Sequence, residues 1–340
     1  MRGRTALVVV AVVVFAVATG CAPAPRTTTT APSVVPSSTA QRERPAHALP
    51  TGWRWESYGG VEVGVPGNWR WDNGSQRISQ WCAQPQTAEA DQVPAIGRPG
   101  GATLVGCGTD TPTGKPDPET LLKNTGPIVA FDRPEKPKDG VTTEGDRTAV
   151  GLNGIEVIVQ TEPVLRKKIV ATVHAVTVDV NGCPTTDPVS RDPARRPSPA
   201  VDVTKLRAVS AVAACKYTLG QDAYGSDPRL QGSLRLEGAK AAKAVELIAA
   251  DSTGGGPNKP KNCLADYSYG DELIVLRVTS DHGESQLYLR YSSCDHNGFD
   301  DGLSVRSLDK RSVAPFFTGP NAVYSGLDEA TADIIWPHAS

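Results

Sequence analysis

The chain has 340 residues, 35 basic and 37 acidic side chains, and a formal net charge of −2. This near-neutral balance, with no long basic run, argues against nucleic-acid binding and against electrostatic docking on anionic lipid. About 290 residues lie beyond residue 50, which is more than one small domain needs and fits two modules.

The chain opens with Arg2 and Arg4, continues as an unbroken apolar run from Ala6 to Ala18, and reaches Ala18-Thr19-Gly20-Cys21. A charged start, a hydrophobic stretch and small residues before the cut mark residues 1–20 as an export signal rather than folded structure. With Cys21 in the last place the segment resembles the lipobox of bacterial lipoproteins, with Ala18 where Leu is usual. The resemblance implies that Cys21 receives lipid, including acyl chains such as palmitate, and that residues 1–20 are removed. The apolar run is shorter than the ~20 residues that cross a bilayer, and no second candidate span occurs downstream. Attachment to the membrane then rests on the acyl chains, two or more of which give stable anchoring.

From Ala22 to about Pro50 the chain is rich in Pro, Thr, Ser and Ala, including Thr27-Thr28-Thr29-Thr30. It cannot bury enough apolar surface to offset its ordering entropy, so residues 21–50 read as a lipidated, disordered tether. The tether reaches from about 30 Å as a coil to about 90 Å as polyproline II.

Strands dominate the chain beyond the tether. Val61, Val63 and Val65 alternate before Pro66, and Asn73-Gly74 marks a turn. Asp117-Pro118-Glu119 predicts a short helix stopped at Gly126. Residues 149–152, the turn Asn153-Gly154, and residues 155–160 predict a tight hairpin. Residues 168–180 read as one long strand, with Val170, Thr172, His174, Val176, Val178 and Val180 on one face. Pro184 to Ala200 holds several prolines and Arg191, Arg195 and Arg196; it reads as a module boundary or as a long loop inside the second module. Residues 239–250 are rich in helix formers and stop before Gly254-Gly255-Gly256-Pro257, a second break. Residues 273–280, the turn 281–284 and residues 285–294 predict another hairpin. A last short helix starts near Ser325. The expected fold is sheet-rich α+β, mainly antiparallel strands with a few short helices. The modules span residues 51–180 (β-rich) and 181–340 (α+β).

Setting Cys21 aside leaves Cys82, Cys107, Cys183, Cys215, Cys263 and Cys294. An even number in an exported chain implies three disulfides, and six cysteines allow 15 pairings. Sequential pairing, 82–107, 183–215 and 263–294, is expected because each pair closes a loop of modest length. Metal binding is the competing reading, but the chain has no C-x-x-C and no His at ligand spacing.

Two clusters are candidate sites. Trp53-Arg54-Trp55 and Trp69-Arg70-Trp71 repeat a pattern, with Trp81 nearby. On a strand the two indoles of each pair share a face. Exposed, Trp53, Trp55, Trp69 and Trp71 form a platform for sugar rings; buried, they build the first module's core. Asp295, Asn297, Asp300 and Asp301, with Gly298 and Gly302, offer hard oxygen ligands for calcium. Their spacing departs from the EF-hand loop, and the same residues also make ordinary turns.

His174, among valines, reads as a hydrogen-bonded interior imidazole, and His282 belongs to a turn. His47, His296 and His338 complete the histidines. No nucleophile elbow, H-E-x-x-H, P-loop or dinucleotide fingerprint occurs, so no catalytic residue, cofactor or metal is assigned. A Ser-His-Asp triad assembled from distant residues is the enzymatic alternative.

Residues 181 to about 318 carry Gly182-Cys183-Pro184, Ala214-Cys215-Lys216-Tyr217, Cys263, and Tyr291-Ser292-Ser293-Cys294 before Asn297-Gly298. This frame resembles a module of exported proteins and lipoproteins of actinobacteria. The opening of the first module, with Trp55, Gly60-Val61-Glu62-Val63, Val65-Pro66 and Trp69, is similar to other such ectodomains. The resemblance implies location and disulfides and transfers no catalytic residue. The expected protein is anchored to the cell membrane on its extracytoplasmic face. It is a non-enzymatic module that binds a cell-wall polymer or an envelope protein. An envelope hydrolase with an unrecognised triad and a structural or assembly lipoprotein are the alternatives.

Overall fold

The computed structural model describes residues 48–73, 93–99, 126–134, 136–220, 229–263, 268–323 and 329–335. Cys21, Trp81, Cys82, Cys107, the turn at Asn73-Gly74 and the helix expected from Asp117 lie at least partly outside these residues.

Strands β1 (Trp53–Tyr58) and β2 (Val61–Pro66) pair antiparallel. Strand β3 is Arg70–Asn73, β4 Ala95–Arg98, β5 Ile128–Asp132, β6 Gly140–Glu144, β7 Arg147–Leu152 and β8 Ile155–Gln160. These six form one sheet in the order β3-β4-β5-β8-β7-β6. Its β3-β4 and β4-β5 pairs are parallel and the others antiparallel. The β7-β8 hairpin turns on Asn153 and Gly154, both at positive φ (53° and 78°), the turn that matches strand twist. The valines of β2, with Tyr58, Ile96, Val129, Phe131, Val157 and Val159, form the core between the two sheets.

Residues 168–180 are not one strand. Helix α1 (Pro163–Val170) occupies the first part, and β9 (His174–Ala175) pairs briefly with Val61 and Glu62 of β2. The reason is local. The Glu162 carboxylate accepts the backbone N–H groups of Val164 (2.8 Å) and Leu165 (2.7 Å), and Pro163 takes the first helical turn. Leu165, Ile169 and Val170 then pack on the core at helical spacing, which outweighs the β-branched alternation further on.

The second large sheet is antiparallel throughout. Its strands are β10 (Ala211–Thr218), β11 (Leu230–Glu237), β12 (Glu272–Ser280), β13 (Gly283–Arg290), β14 (Gly298–Asp300) and β15 (Val305–Arg306), in the order β11-β10-β12-β13-β14-β15. Between β11 and β12 lies helix α2 (Gly238–Ala250), whose Ala241, Ala244, Val245 and Ile248 form the buried stripe. They cover Val212, Ala214, Ile274, Leu276 and Leu287. The short helices α3 (Lys310–Val313) and α4 (Glu329–Ile335) follow, the latter within the helix expected from near Ser325, which itself lies outside the described residues. The β12-β13 hairpin forms as expected, with its turn narrowed to Asp281-His282.

The opposite face of this sheet carries Ala213, Cys215, Tyr217, Val275 and Tyr288, packed with Cys183 and Val189. Cys183 bonds to Cys215 (Cα–Cα 5.5 Å) and Cys263 to Cys294 (5.6 Å). The proline-rich stretch after Cys183 lies along this face as a loop. The Tyr217 hydroxyl donates to the Pro184 carbonyl (2.6 Å), Gly220 N–H donates to Ser190, and Arg290 donates to the Arg195 carbonyl.

Candidate ligand-binding face

Side chains of β1 and β2 divide between two faces because each strand alternates. Arg54, Glu56 and Tyr58 share a face with Val61, Val63 and Val65. Trp53, Trp55 and Ser57 share the other with Glu62 and Gly64, as the pairing Trp55↔Gly64 and Ser57↔Glu62 requires.

On the second face Trp53 and Trp55 are half-buried. The His174 ring stands edge-on to Trp55, with centroids 4.9 Å apart. Its Nδ1 lies 2.9 Å from the Thr172 carbonyl and its Nε2 3.5 Å from Glu62 Oε2. His174 is therefore held between a carbonyl and a carboxylate, with 34% of its side chain exposed. The expectation of an interior imidazole is met in its hydrogen bonding, but the ring reaches solvent.

Glu62 is fully buried behind this ring. Its Oε1 accepts the Ser57 hydroxyl (2.8 Å) and the Val180 N–H (2.6 Å). Burial nevertheless raises its pKa, and the nearby Asp179 carboxylate adds to the rise. Asp179, also buried, accepts N–H groups of Cys183 (2.7 Å) and Asn181 (3.0 Å) and the Ser233 hydroxyl. Burial raises its pKa as well. Two carboxylates thus stand at the foot of the Trp55–His174 face.

The four tryptophans of the expected platform do not stay together. Trp69 precedes β3 in a turn, its N–H donating to Pro66, and is 5% exposed within the core. Trp71 is 38% exposed on the other side of β1. There the Arg54 guanidinium lies over its ring at 4.2 Å, and Trp71 Nε1 donates to Glu56 Oε1 at 2.9 Å. Glu56 also accepts Arg54 Nε and Arg98 Nη2, each at 2.6 Å, which makes this side a buried ion-pair network.

The acidic loop after β13 is held by internal bonds. Asn297 Oδ1 accepts the Ser293 N–H, and its Nδ2 donates to the carbonyls of Pro257 (2.9 Å) and Ser293 (2.7 Å). Asp300 takes Arg196 through both oxygens and also the Gly302 N–H. Asp301 accepts the N–H groups of Leu303 (2.9 Å), Ser304 (2.7 Å) and Val203 (3.2 Å). Asp295 accepts the Ser268 hydroxyl at 3.1 Å and lies 3.5 Å from His296, whose ring stacks on Tyr269. Among the described residues, Cys263, Cys294 and Asp295 come close enough to hold a metal ion, but the two sulfurs are bonded to each other. His282 sits exposed in its turn, 3.7 Å from Asp281.

Ser57, Glu62, Asp179 and Ser233 were not singled out by sequence. For Glu62 the signal is present: flanked by Val61 and Val63, it must point away from the valine face. Asp179 carries no such mark, because its partners Cys183 and Ser233 meet it only through the fold. No protein-family model, curated protein or solved structure matches the chain.

Proposed function

We propose that the protein is a lipid-anchored, extracytoplasmic binding module of the cell envelope, held to the membrane through Cys21 and carried outward by residues 22–50. The N-terminal sequence supports the anchoring. The half-exposed pair of Trp55 and His174 supports the binding role and carries the reading, while Trp53 on the same strand face also packs against the core. Indole faces stack on the apolar side of a sugar ring, and the His174 imidazole beside them supplies a polar contact for a hydroxyl. The buried Glu62 holds that imidazole in place from behind. A wall glycan is the ligand class that this combination fits.

The test is co-sedimentation of the protein with isolated cell-wall material, with Trp55→Ala and His174→Ala variants beside it. Binding that both variants lose, while their circular dichroism is unchanged, is the expected result. Equal sedimentation of all three proteins would remove this face from the function. Cys21→Ser is expected to release the protein from membranes, and its continued partitioning into detergent would refute acylation.

A further inference from the structure

We infer that strand β6 is a self-association edge, which pairs antiparallel with β6 of a second copy and joins two sheets into one across a twofold axis. β6 is the outermost strand of the sheet β3-β4-β5-β8-β7-β6, and all five of its residues are exposed. Its pairing to β7 runs from Gly140↔Gly151 to Glu144↔Arg147 without a bulge. Native edges are blunted by Lys, Pro, bulges or covering segments. Charged side chains blunt edges too, and β6 (Gly-Val-Thr-Thr-Glu) carries one, Glu144 at its last position, with Lys136, Pro137 and Lys138 before its start. Its Val-Thr-Thr centre has no charge, Pro or bulge, and Val141 is 61% exposed.

The edges of the other large sheet are treated differently. On β11 the Leu230 carbonyl accepts Gly59 N–H, Leu230 N–H donates to Thr185, and the Ser233 carbonyl accepts Asn181 Nδ2. On β15 the Val305 carbonyl accepts Gly254 N–H. Among the described residues β6 has no such cover.

The hydrogen-bonding groups that face outward are set by the hairpin. Glu144 and Arg147 flank the two-residue turn Gly145-Asp146, so they form a hydrogen-bonded pair, and the alternation continues from there. Gly140, Thr142 and Glu144 thus bond to β7, while the N–H and C=O of Val141 and Thr143 point to the open side. A twofold axis through Thr142 sets Val141 opposite Thr143 of the second copy. Every outward donor then meets an outward acceptor.

The side chains agree with this register. Glu144 falls opposite Gly140, so no like charges meet across the strands, and two β-branched residues face each other at each bonded position. The occupant that fits this edge is therefore another copy of the chain.

Thr142→Cys tests the register. The two residues at position 142 form a non-hydrogen-bonded pair, where side chains approach closely enough for a disulfide. Under mild oxidation the full chain carrying Thr142→Cys is expected to give a covalent dimer. Val141→Cys, which faces Thr143 instead, is expected to give little. Sedimentation of the unchanged chain over a concentration series should show a reversible dimer. Val141→Pro, which removes an outward N–H without touching a β7 bond, should abolish it while the thermal melt stays cooperative. A chain that stays monomeric throughout the series, or equal cross-linking of the two cysteine variants, would overturn the proposal.

Discussion

Ser233 on β11 and Asp179 in the segment after β9, 54 residues apart, are joined by a hydrogen bond from the serine hydroxyl to the buried carboxylate. The same carboxylate holds the N–H groups of Asn181 and Cys183, so it fixes the entry to the Cys183–Cys215 disulfide. It also stands near Glu62, which is tied to Val180. One cluster thereby links the β1-β2 pair to the second large sheet. Asp179→Ala should cost about 2–3 kcal/mol, because it strands two buried donors, the Cys183 N–H and the Ser233 hydroxyl, and the half-buried Asn181 N–H. Asp179→Asn keeps an acceptor for both backbone groups and should cost about 1 kcal/mol or less. Urea unfolding of both variants distinguishes the two outcomes.

The pH dependence is set by the direction of the shifts. Burial raises the pKa of Glu62 and Asp179 above the ordinary carboxylate range. Between the unfolded and the folded pKa the native protein binds more protons than the unfolded chain, so stability falls as pH rises through that interval. Lowering pH from neutral into the mildly acidic range should therefore raise the melting temperature. A Glu62→Gln, Asp179→Asn double variant should show a smaller rise. An equal rise in both proteins would assign the effect to other groups, with Asp271, pushed up to about 6 by burial, the first to test and Asp132 and Glu156 next.

Cys183 and Cys215 are fully buried, whereas Cys263 is half-buried. Mild reduction of the folded protein followed by alkylation should label Cys263 and Cys294 before Cys183 and Cys215. Replacing both Cys183 and Cys215 by Ser should cost about 3–4 kcal/mol in the chain-entropy account. Peptide mapping without reductant should recover Cys183–Cys215 and Cys263–Cys294, and either cysteine found with a different partner would contradict the pairing.

Gly154 sits at φ 78° with open space where a Cβ would stand. Gly154→Ala therefore tests backbone conformation alone and should cost about 1 kcal/mol by chemical denaturation. A neutral result would argue against the positive-φ turn between β7 and β8.

Glu162 caps helix α1 through two backbone N–H groups. Glu162→Ala should lower stability by about 1 kcal/mol and speed hydrogen exchange in residues 166–170 relative to β8. Unchanged exchange there would mean that packing of Leu165 and Ile169, rather than the cap, holds the helix.

Local chemistry was legible wherever a short segment answers its own backbone demands. Val61, Val63 and Val65 alternate and form β2. Asn153-Gly154 supplies the positive φ angles of its turn, and the Ala-rich segment from 239 makes α2. The sheet-rich α+β class is the sum of such units. Residues 168–180 misled because their alternating β-branched residues come after a capped helical start, and a cap upstream outranks alternation once Ile169 has a core to enter.

Which side chains meet is a different matter. Trp53-Arg54-Trp55 and Trp69-Arg70-Trp71 are the same pattern in sequence, yet one pair stays on a strand face while the other is split by a turn. Glu62, His174 and Asp179 come from separate elements; the valines around Glu62 mark which way it points, but no spacing announces that the three meet. The sequence alone determined strands, turns and the expectation of an export signal, because those depend on φ preferences, periodicity and residue type over a few positions. Only the tertiary structure decided that two carboxylates lie buried beneath a half-exposed aromatic face, because burial and pairing are set by packing between segments distant in the chain.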